Sequence, residues 1–157
     1  TIDVPQLLSA TADHLAELAE EHITFRLDTQ PCTVLGNRSL LERAFFNLME
    51  NAVNYNRPNG TVTVHAACKG GHVQVEITDE GSGIPQKFRE QIFEPFFRVD
   101  KSRSRQLGGA GLGLPLVRAI AELHRGSVWV EDGERGGSRF IMKIPSSLPQ
   151  WSEKEKL

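Results

Sequence analysis

Two stretches of the chain alternate apolar and polar residues with a period of two. TVTVHAAC over residues 61–68 and HVQVEITD over residues 72–79 have this pattern, and Lys69, Gly70 and Gly71 join them. Alternation places every second side chain on the same face of a strand, so one face of each stretch is apolar. The pattern predicts a β-hairpin at the centre of the chain.

Three other segments have the apolar spacing of amphipathic helices. The first runs from about Pro5 to Glu21, after a short strand that opens the chain. The second spans residues 37–55, with Asn37 or Ser39 as its N-cap. The third follows a run of glycines and ends at about Arg125.

Four more strands complete the pattern. ITFRLD and CTVL lie between the first two helices, and SVWVED and SRFIMKIP form a closing hairpin around Gly133, Gly136 and Gly137. Hairpins with helices between them indicate an α+β fold, in which helices cover one face of a mixed sheet.

Length and composition then limit the class of protein. The 157 residues suffice for one domain with its own core, and the net charge of -2 argues against a broad basic face for nucleic acid. No apolar run is long enough to span a membrane. Cys32 and Cys68 fit no metal-ligand spacing, and we expect reduced thiols.

The run GGAGLGLPLV at residues 108–117 lies at the end of a long irregular section over residues 79–113. It matches neither a Walker A loop, which requires Lys, nor a dinucleotide fingerprint, which requires Gly where Leu116 stands. Because the glycines open a helix, their N–H groups can receive an anion such as phosphate. A flexible hinge or a tight turn is the alternative.

The second helix carries Asn47, Asn51, Asn54 and Tyr55 on one narrow stripe, beside an apolar stripe. Asn is a poor helix former, so three of them need a reason. They form either a solvated face or the wall of a cleft, where amide oxygens are suitable ligands for magnesium shared with phosphate.

Asp79 ends the central strand and precedes Gly81 and Gly83. A carboxylate at this point either forms a simple turn or accepts a hydrogen bond from an amine that enters beside the two glycines. Asp79 alone does not distinguish these two interpretations.

Taken together, the motifs resemble those of a known family. NLMENAVNY, DEGSGIP, IFEPFFR and GGAGLGLPLV, in this order and with the closing GGSRF, are similar to the N box, first glycine box, F box and second glycine box of bacterial sensor histidine kinases. The wider family includes type II topoisomerases, Hsp90 chaperones and mismatch-repair ATPases. The resemblance implies an α/β sandwich with a mixed sheet against about three helices. It assigns residues 1–147 to an ATP-binding catalytic domain and leaves residues 148–157 as a flexible tail.

The resemblance also implies roles for single residues. Asp79 would take the adenine amine, with room for the base at Gly81 and Gly83, stacking from Tyr55 and an apolar lining from Ile84. Asn51 would coordinate magnesium, with Asn47 on the phosphate side. A lid would present its backbone to the phosphates; the implied lid residues are Gly109, Ala110, Gly111, Leu112 and Gly113.

The chain departs from the family pattern at three points. Asn54 replaces a frequent basic residue, so Arg98 or Lys101 would supply the cation that contacts phosphate. Ala110 replaces a frequent Thr or Ser. None of the five histidines, at positions 14, 22, 65, 72 and 124, is in a phosphoacceptor motif. The resemblance therefore implies a fragment whose acceptor histidine lies on a separate dimerisation domain.

The first hypothesis is a protein-histidine kinase domain that binds Mg-ATP and transfers the γ-phosphoryl group to that histidine. Asn51 and Arg98 would act in catalysis, and Glu50 would be the base, although it points about 60° from the asparagine stripe. The alternatives are an interaction module in which ATP orders the lid and so exposes or hides Phe93 and Phe97 for a partner, and an ATP-hydrolysing clamp.

The expected partners are the phosphoacceptor domain of the same full-length kinase and a downstream response regulator. We expect no nucleic acid and no direct membrane contact by this fragment. By resemblance, the fragment is cytoplasmic and the full-length protein is anchored in the bacterial inner membrane.

Overall fold

The computed structural model describes residues 1–18, 23–97 and 113–146. Three α-helices and seven strands lie in these ranges, and two short 3₁₀ turns, Gln86–Phe88 and Gln91–Phe93, follow the fifth strand. The elements are β1 (Ile2–Asp3), α1 (Val4–Leu18), β2 (Thr24–Thr29), β3 (Thr33–Val34), α2 (Arg38–Asn54), β4 (Thr61–Lys69), β5 (His72–Thr78), α3 (Gly113–Leu123), β6 (Ser127–Asp132) and β7 (Ser138–Pro145).

The main sheet has five strands in the order β2-β4-β5-β7-β6. Strands β2 and β4 are parallel, and the other three neighbouring pairs are antiparallel, so the sheet is mixed as predicted. The two predicted hairpins are β4–β5 and β6–β7. The first follows from the alternating pattern, which gives each of its strands one apolar face, and the second turns at the predicted glycines between residues 132 and 138.

The core lies between one face of this sheet and the helices. Val64 of β4, Ile77 of β5 and Phe140 of β7 are fully buried there, against Leu48 of α2 and Val117 of α3. The result is the predicted α/β sandwich with three described helices. None of these helices is long and apolar enough to cross a membrane.

The element ends differ from the prediction at several points. Helix α1 begins at Val4, and its predicted end at Glu21 lies outside the described residues. Of CTVL, only Thr33 and Val34 form a strand, and this strand pairs with β1 instead of the main sheet. A two-residue strand has no periodicity, so its partner is not readable from the chain.

Helix α3 ends at Leu123, two residues before the predicted end. Arg125 has a φ of 62°, and the N–H of Gly126 donates to the carbonyl of Ala121 at 2.8 Å. This is the hydrogen-bond pattern of a helix that is closed by a left-handed residue. Arg125 therefore takes the position at which Gly is more usual.

Helix α2 begins with Asn37 as its N-cap, which settles the choice between Asn37 and Ser39. The Oδ1 atom of Asn37 accepts a hydrogen bond from the N–H of Leu40 at 3.0 Å. The N–H of Asn37 donates to Nε2 of His124 at 3.1 Å, and Nδ1 of that ring lies 2.8 Å from the carbonyl of Ile120. His124 thus ties the start of α2 to the end of α3.

Candidate functional site

The asparagine stripe of α2 lies at the edge of the core. Asn47, Asn51, Asn54 and Tyr55 are half-buried, whereas Ala52 on the adjacent stripe is fully buried. The side-chain amides of the three asparagines have no hydrogen-bond partner among the described residues. Partly desolvated amides without a partner in the described part of the chain suit a cleft that receives a polar ligand.

Asp79 is buried at the end of the central strand, with 3% of its surface exposed. Its Oδ1 atom accepts hydrogen bonds from the N–H of Gly81 at 2.9 Å and from the N–H of Ser138 at 3.2 Å. None of the hydrogen bonds between described residues reaches its Oδ2 atom, which leaves this oxygen as an acceptor for a ligand.

Burial raises the pKa of the Asp79 carboxyl, and the hydrogen bonds from Gly81 and Ser138 oppose that rise. A buried carboxyl with a perturbed pKa in a cleft is a common mark of a functional group. The environment keeps Asp79 fixed in position and makes its charged form costly.

The glycines around Asp79 allow close backbone contacts. A Cβ on Gly137 would lie 2.1 Å from the Asp79 carbonyl oxygen, and a Cβ on Gly81 would lie 1.9 Å from that of Tyr55. Gly83 has a φ of 77°. The sequence suggested that Gly81 and Gly83 give room to a base; at Gly81, backbone packing requires glycine in any case.

Ile84 follows this loop and packs partly buried against the core. Its carbonyl accepts a hydrogen bond from Nε of Arg89 at 3.2 Å, and the Arg89 guanidinium also pairs with Asp132. The segment after the glycines is therefore anchored to the end of β6.

The three phenylalanines of the F box have different environments. Phe93 is buried and meets Phe140 with ring centroids 6.2 Å apart, and Phe97 meets Phe88 at 5.6 Å. Phe96 has a φ of 66°, and 71% of its surface is exposed. Phe93 is thus part of the core, and Phe96 is the aromatic ring that solvent reaches.

The phosphate side of the predicted site is described at Gly113. This residue begins α3, and a Cβ there would lie 4.0 Å from Cγ of Asn47, so the end of the lid meets α2. Glu50 is exposed on α2. The predicted site residues outside the described ranges are Arg98, Lys101, Gly109, Ala110, Gly111 and Leu112.

Helix α2 consequently spans the distance between the two ends of the predicted site. Asn47 lies beside Gly113 near the lid, and Tyr55, eight residues later, lies beside Gly81 and the Asp79 loop. At 1.5 Å per residue these ends are about 12 Å apart. The arrangement offers a buried acceptor at one end and amides with a helix start at the other.

A second cleft also has Asn47 in its lining. It separates α1 from α2 and has a volume of about 390 Å³. Its lining consists of Ala10, Thr11, His14, Ser39, Glu42, Arg43, Phe46 and Asn47. No group of three or more His, Cys, Asp or Glu side chains within residues 1–18, 23–97 and 113–146 is arranged to hold a metal ion.

Two residues that the motifs did not single out support the site. Asn56 is buried directly after Tyr55, and its Oδ1 atom accepts a hydrogen bond from the N–H of Glu80 at 3.1 Å. Glu80 directly follows Asp79. In the sequence, Glu80 lies inside the DEGSGIP motif without a role of its own, and Asn56 is marked only by its position after Tyr55.

Comparisons with known proteins identify the family of the chain. Residues 36–148 match the family of histidine kinase-, DNA gyrase B- and HSP90-like ATPases. The chain is 40% identical over 149 residues to the sensor-like histidine kinase SenX3 of Mycolicibacterium smegmatis. This alignment covers 92% of this chain and 38% of that protein. It is 36% identical over 148 residues to the sensor histidine kinase CpxA of Escherichia coli, covering 92% and 32% of the two chains.

A solved structure titled mycobacterial sensor histidine kinase MprB superposes with a TM-score of 0.81 at 29% identity, over 92% of this chain and 95% of that one. The chain spans between 32% and 38% of the length of the two curated relatives. The family match covers more than half of the chain, and the chain therefore belongs to the histidine kinase-, DNA gyrase B- and HSP90-like ATPases, as an ATP-binding catalytic domain of the sensor histidine kinase type.

Proposed function

We propose that this domain binds Mg-ATP between α2 and the lid and that the γ-phosphoryl group passes to a histidine on the phosphoacceptor domain of the same full-length kinase. The observation that carries the proposal is the state of Asp79. Its Oδ1 atom is held by two backbone N–H groups, and its Oδ2 atom is left for a ligand.

Adenine fits this acceptor because its exocyclic amine is a hydrogen-bond donor. Asp79 would accept from the amine, while Tyr55 would stack on the ring and Ile84 would line the pocket. Guanine carries a carbonyl oxygen where adenine has the amine, and that oxygen would face a carboxylate. The same arrangement therefore favours adenine over guanine.

The phosphates would lie toward Asn47 and Gly113. The backbone of Gly109, Ala110, Gly111, Leu112 and Gly113 would donate hydrogen bonds to them, because the start of α3 presents N–H groups to an anion. Arg98 and Lys101 would supply positive charge in place of the basic residue that Asn54 replaces. The variants Arg98→Ala and Lys101→Ala test whether these two residues supply that charge.

The donor set fits magnesium through Asn51. Its amide oxygen is half-buried and without a partner among the described residues, and Mg²⁺ commonly takes one or two protein ligands together with phosphate oxygens and water. When bound, the ion would neutralise part of the charge on the phosphates.

In the transfer step, the bond between the γ-phosphorus and the β–γ bridging oxygen breaks, and a bond from an imidazole nitrogen to that phosphorus forms. ADP leaves, and the imidazole proton passes to a base, for which Glu50 is the proposed residue. Protein groups mainly position the reactants and balance charge in such transfers. The phosphorylated acceptor domain would then be the phosphoryl donor for a response regulator. By resemblance, the full-length protein is a membrane-anchored kinase with this domain in the cytoplasm.

The direct test mixes this chain, γ-labelled ATP and the separately purified acceptor domain of its own kinase or of a close homologue. Acid-labile label on the acceptor histidine is expected, and it should disappear with Asp79→Asn and with Asn51→Ala. Nucleotide binding without label on any acceptor would favour the interaction module. Steady-state release of phosphate without an acceptor would favour the hydrolysing clamp. The clamp enzymes that the chain resembles favour Glu at the position of Asn47 as the base for water, and an amide cannot act as that base.

A further inference from the structure

We propose that Glu80 is a positioning residue for base recognition, because it holds the loop that presents Asp79 to adenine. The inference rests on the proposed function, since it assumes that Asp79 reads the base. Glu80 does not contact the ligand in this account. Glu80 acts by fixing the backbone of the residues directly before and after it.

The Glu80 carboxylate joins three separate segments of the chain. Its Oε1 atom accepts hydrogen bonds from the N–H of Thr61 at 2.8 Å and from Nη2 of Arg57 at 3.3 Å. Its Oε2 atom accepts from Nη1 of Arg135 at 3.3 Å. These partners belong to the start of β4, the α2–β4 loop and the β6–β7 turn.

The backbone of Glu80 makes a fourth contact through Asn56. Oδ1 of Asn56 accepts from the N–H of Glu80 at 3.1 Å and from the N–H of Arg57 at 2.9 Å, and its Nδ2 atom donates to the carbonyl of Thr61 at 3.1 Å. A Cβ on Gly60 would lie 2.3 Å from the same Oδ1 atom. Side chain and backbone of Glu80 are thus both fastened to residues 56–61.

The placement of these contacts distinguishes Glu80 from an ordinary surface ion pair. Its side chain is 9% exposed, although the paired Arg57 and Arg135 side chains are 61% and 77% exposed. The residue before it is Asp79, whose N–H donates to the Ser138 carbonyl at 2.9 Å. The residue after it lies against Tyr55. Glu80 therefore holds the middle of this loop, and the residues directly before and after it contribute to the proposed base pocket.

The charge of Glu80 fits this role. The N–H of Thr61 is the largest influence and lowers the pKa of the Glu80 carboxyl; burial opposes it, and Arg57 and Arg135 lower the pKa further. Asp79, one residue away, has its pKa raised by burial. The neighbouring carboxyls therefore differ in function: Glu80 stays ionised and holds the loop in place, and Asp79 keeps an oxygen for the ligand.

The test compares dissociation constants for Mg-ATP, Mg-GTP and inorganic triphosphate in four proteins: the native chain, Glu80→Ala, Glu80→Gln and Glu131→Ala. Glu131 is the matched control, because it also accepts hydrogen bonds, from Arg139 at 2.7 Å and from Trp129 at 3.0 Å, but both partners lie in the β6–β7 pair and not in residues 56–61. Glu80→Gln retains an acceptor for the Thr61 N–H and protects the fold.

We expect Glu80→Ala to reduce the preference for ATP over GTP about tenfold, with triphosphate binding unchanged, because loss of position weakens only the base contact. Glu80→Gln should lie between Glu80→Ala and the native chain, and Glu131→Ala should keep the native preference. If Glu80→Ala keeps the native preference for ATP over GTP, or if it weakens the binding of triphosphate as much as the binding of ATP, the inference about Glu80 is wrong. Neither result would affect the proposed function. A native chain that binds triphosphate but does not distinguish ATP from GTP overturns the proposed function as well.

Discussion

Gly81 lies so close to Tyr55 that a Cβ on Gly81 would come within 1.9 Å of the Tyr55 carbonyl oxygen. The loop after the central strand is thus packed backbone to backbone against the last turn of α2. This contact joins the two elements that carry Asp79 and the asparagine stripe. The geometry of the base pocket depends on it.

Gly81→Ala should therefore destabilise the protein by about 1–3 kcal/mol, the usual cost of forcing extra volume into a packed site. Thermal unfolding of the ligand-free protein measures the change. Gly113→Ala is the matched control for stability, since among the described residues its Cβ would meet nothing nearer than Asn47 Cγ at 4.0 Å. Equal losses in the two variants would contradict the packing account.

Gly113→Ala should separate folding from nucleotide binding. Gly113 is the first residue of α3, and among the described residues a Cβ there would touch only Cγ of Asn47, at 4.0 Å, so the ligand-free protein should keep about the stability of the native chain. Mg-ATP should bind more weakly, because the new methyl group lies where the helix start would meet the phosphates. Titration calorimetry tests this. Native affinity in Gly113→Ala would place the phosphates elsewhere.

The His124 contact makes a prediction about coupling between helices. A Cβ on Gly36 would lie 2.5 Å from Cδ2 of His124, so Gly36→Ala should destabilise the native chain. In a His124→Ala background the two closest contacts are removed and Leu41 Cδ1 at 3.3 Å remains, so the same substitution should cost less. A double-mutant cycle measured by denaturant unfolding gives the coupling, which we expect to be about 1 kcal/mol. Additive effects would show that the two residues do not interact.

Asp79 should lower the stability of the ligand-free protein at neutral pH. Its folded-state pKa lies above the ordinary value of 3.8, so the folded state takes up the proton first as the pH falls. The cost of burying the charge is fully present above the folded pKa and disappears below the unfolded pKa. Asp79→Asn should consequently be more stable than the native chain at neutral pH, with a difference that shrinks toward pH 3.8. Parallel pH-dependent unfolding curves would exclude this effect.

Much of the fold could be predicted because its signals are local. The β4–β5 hairpin follows from strict alternation, and the start of α2 follows from Asn37, whose side chain caps the helix. The pairing of β1 with β3 could not be predicted, because two-residue strands have no pattern and their partners are distant in the chain.

The site shows the same division. The asparagine stripe and Asp79 were predictable because helical spacing and a strand end place them. The contacts of Glu80 with Asn56 and Arg135 were not, because they span 24 and 55 residues and arise only when three loops meet. The reason for glycine at position 81 also required the structure, since it depends on the Tyr55 carbonyl.

The most direct test of the central claim is thermal unfolding with and without Mg-ATP, for the native chain and for Asp79→Asn. The substitution is nearly isosteric: Oδ1 can still accept from Gly81 and Ser138, and only Oδ2 is replaced by a donor. Mg-ATP at about 100 times its dissociation constant should stabilise the native chain by about 2.7 kcal/mol, a shift of several degrees, and should leave Asp79→Asn unchanged. An equal shift in both proteins, or none in the native chain, would contradict the assignment of Asp79 as the residue that reads adenine.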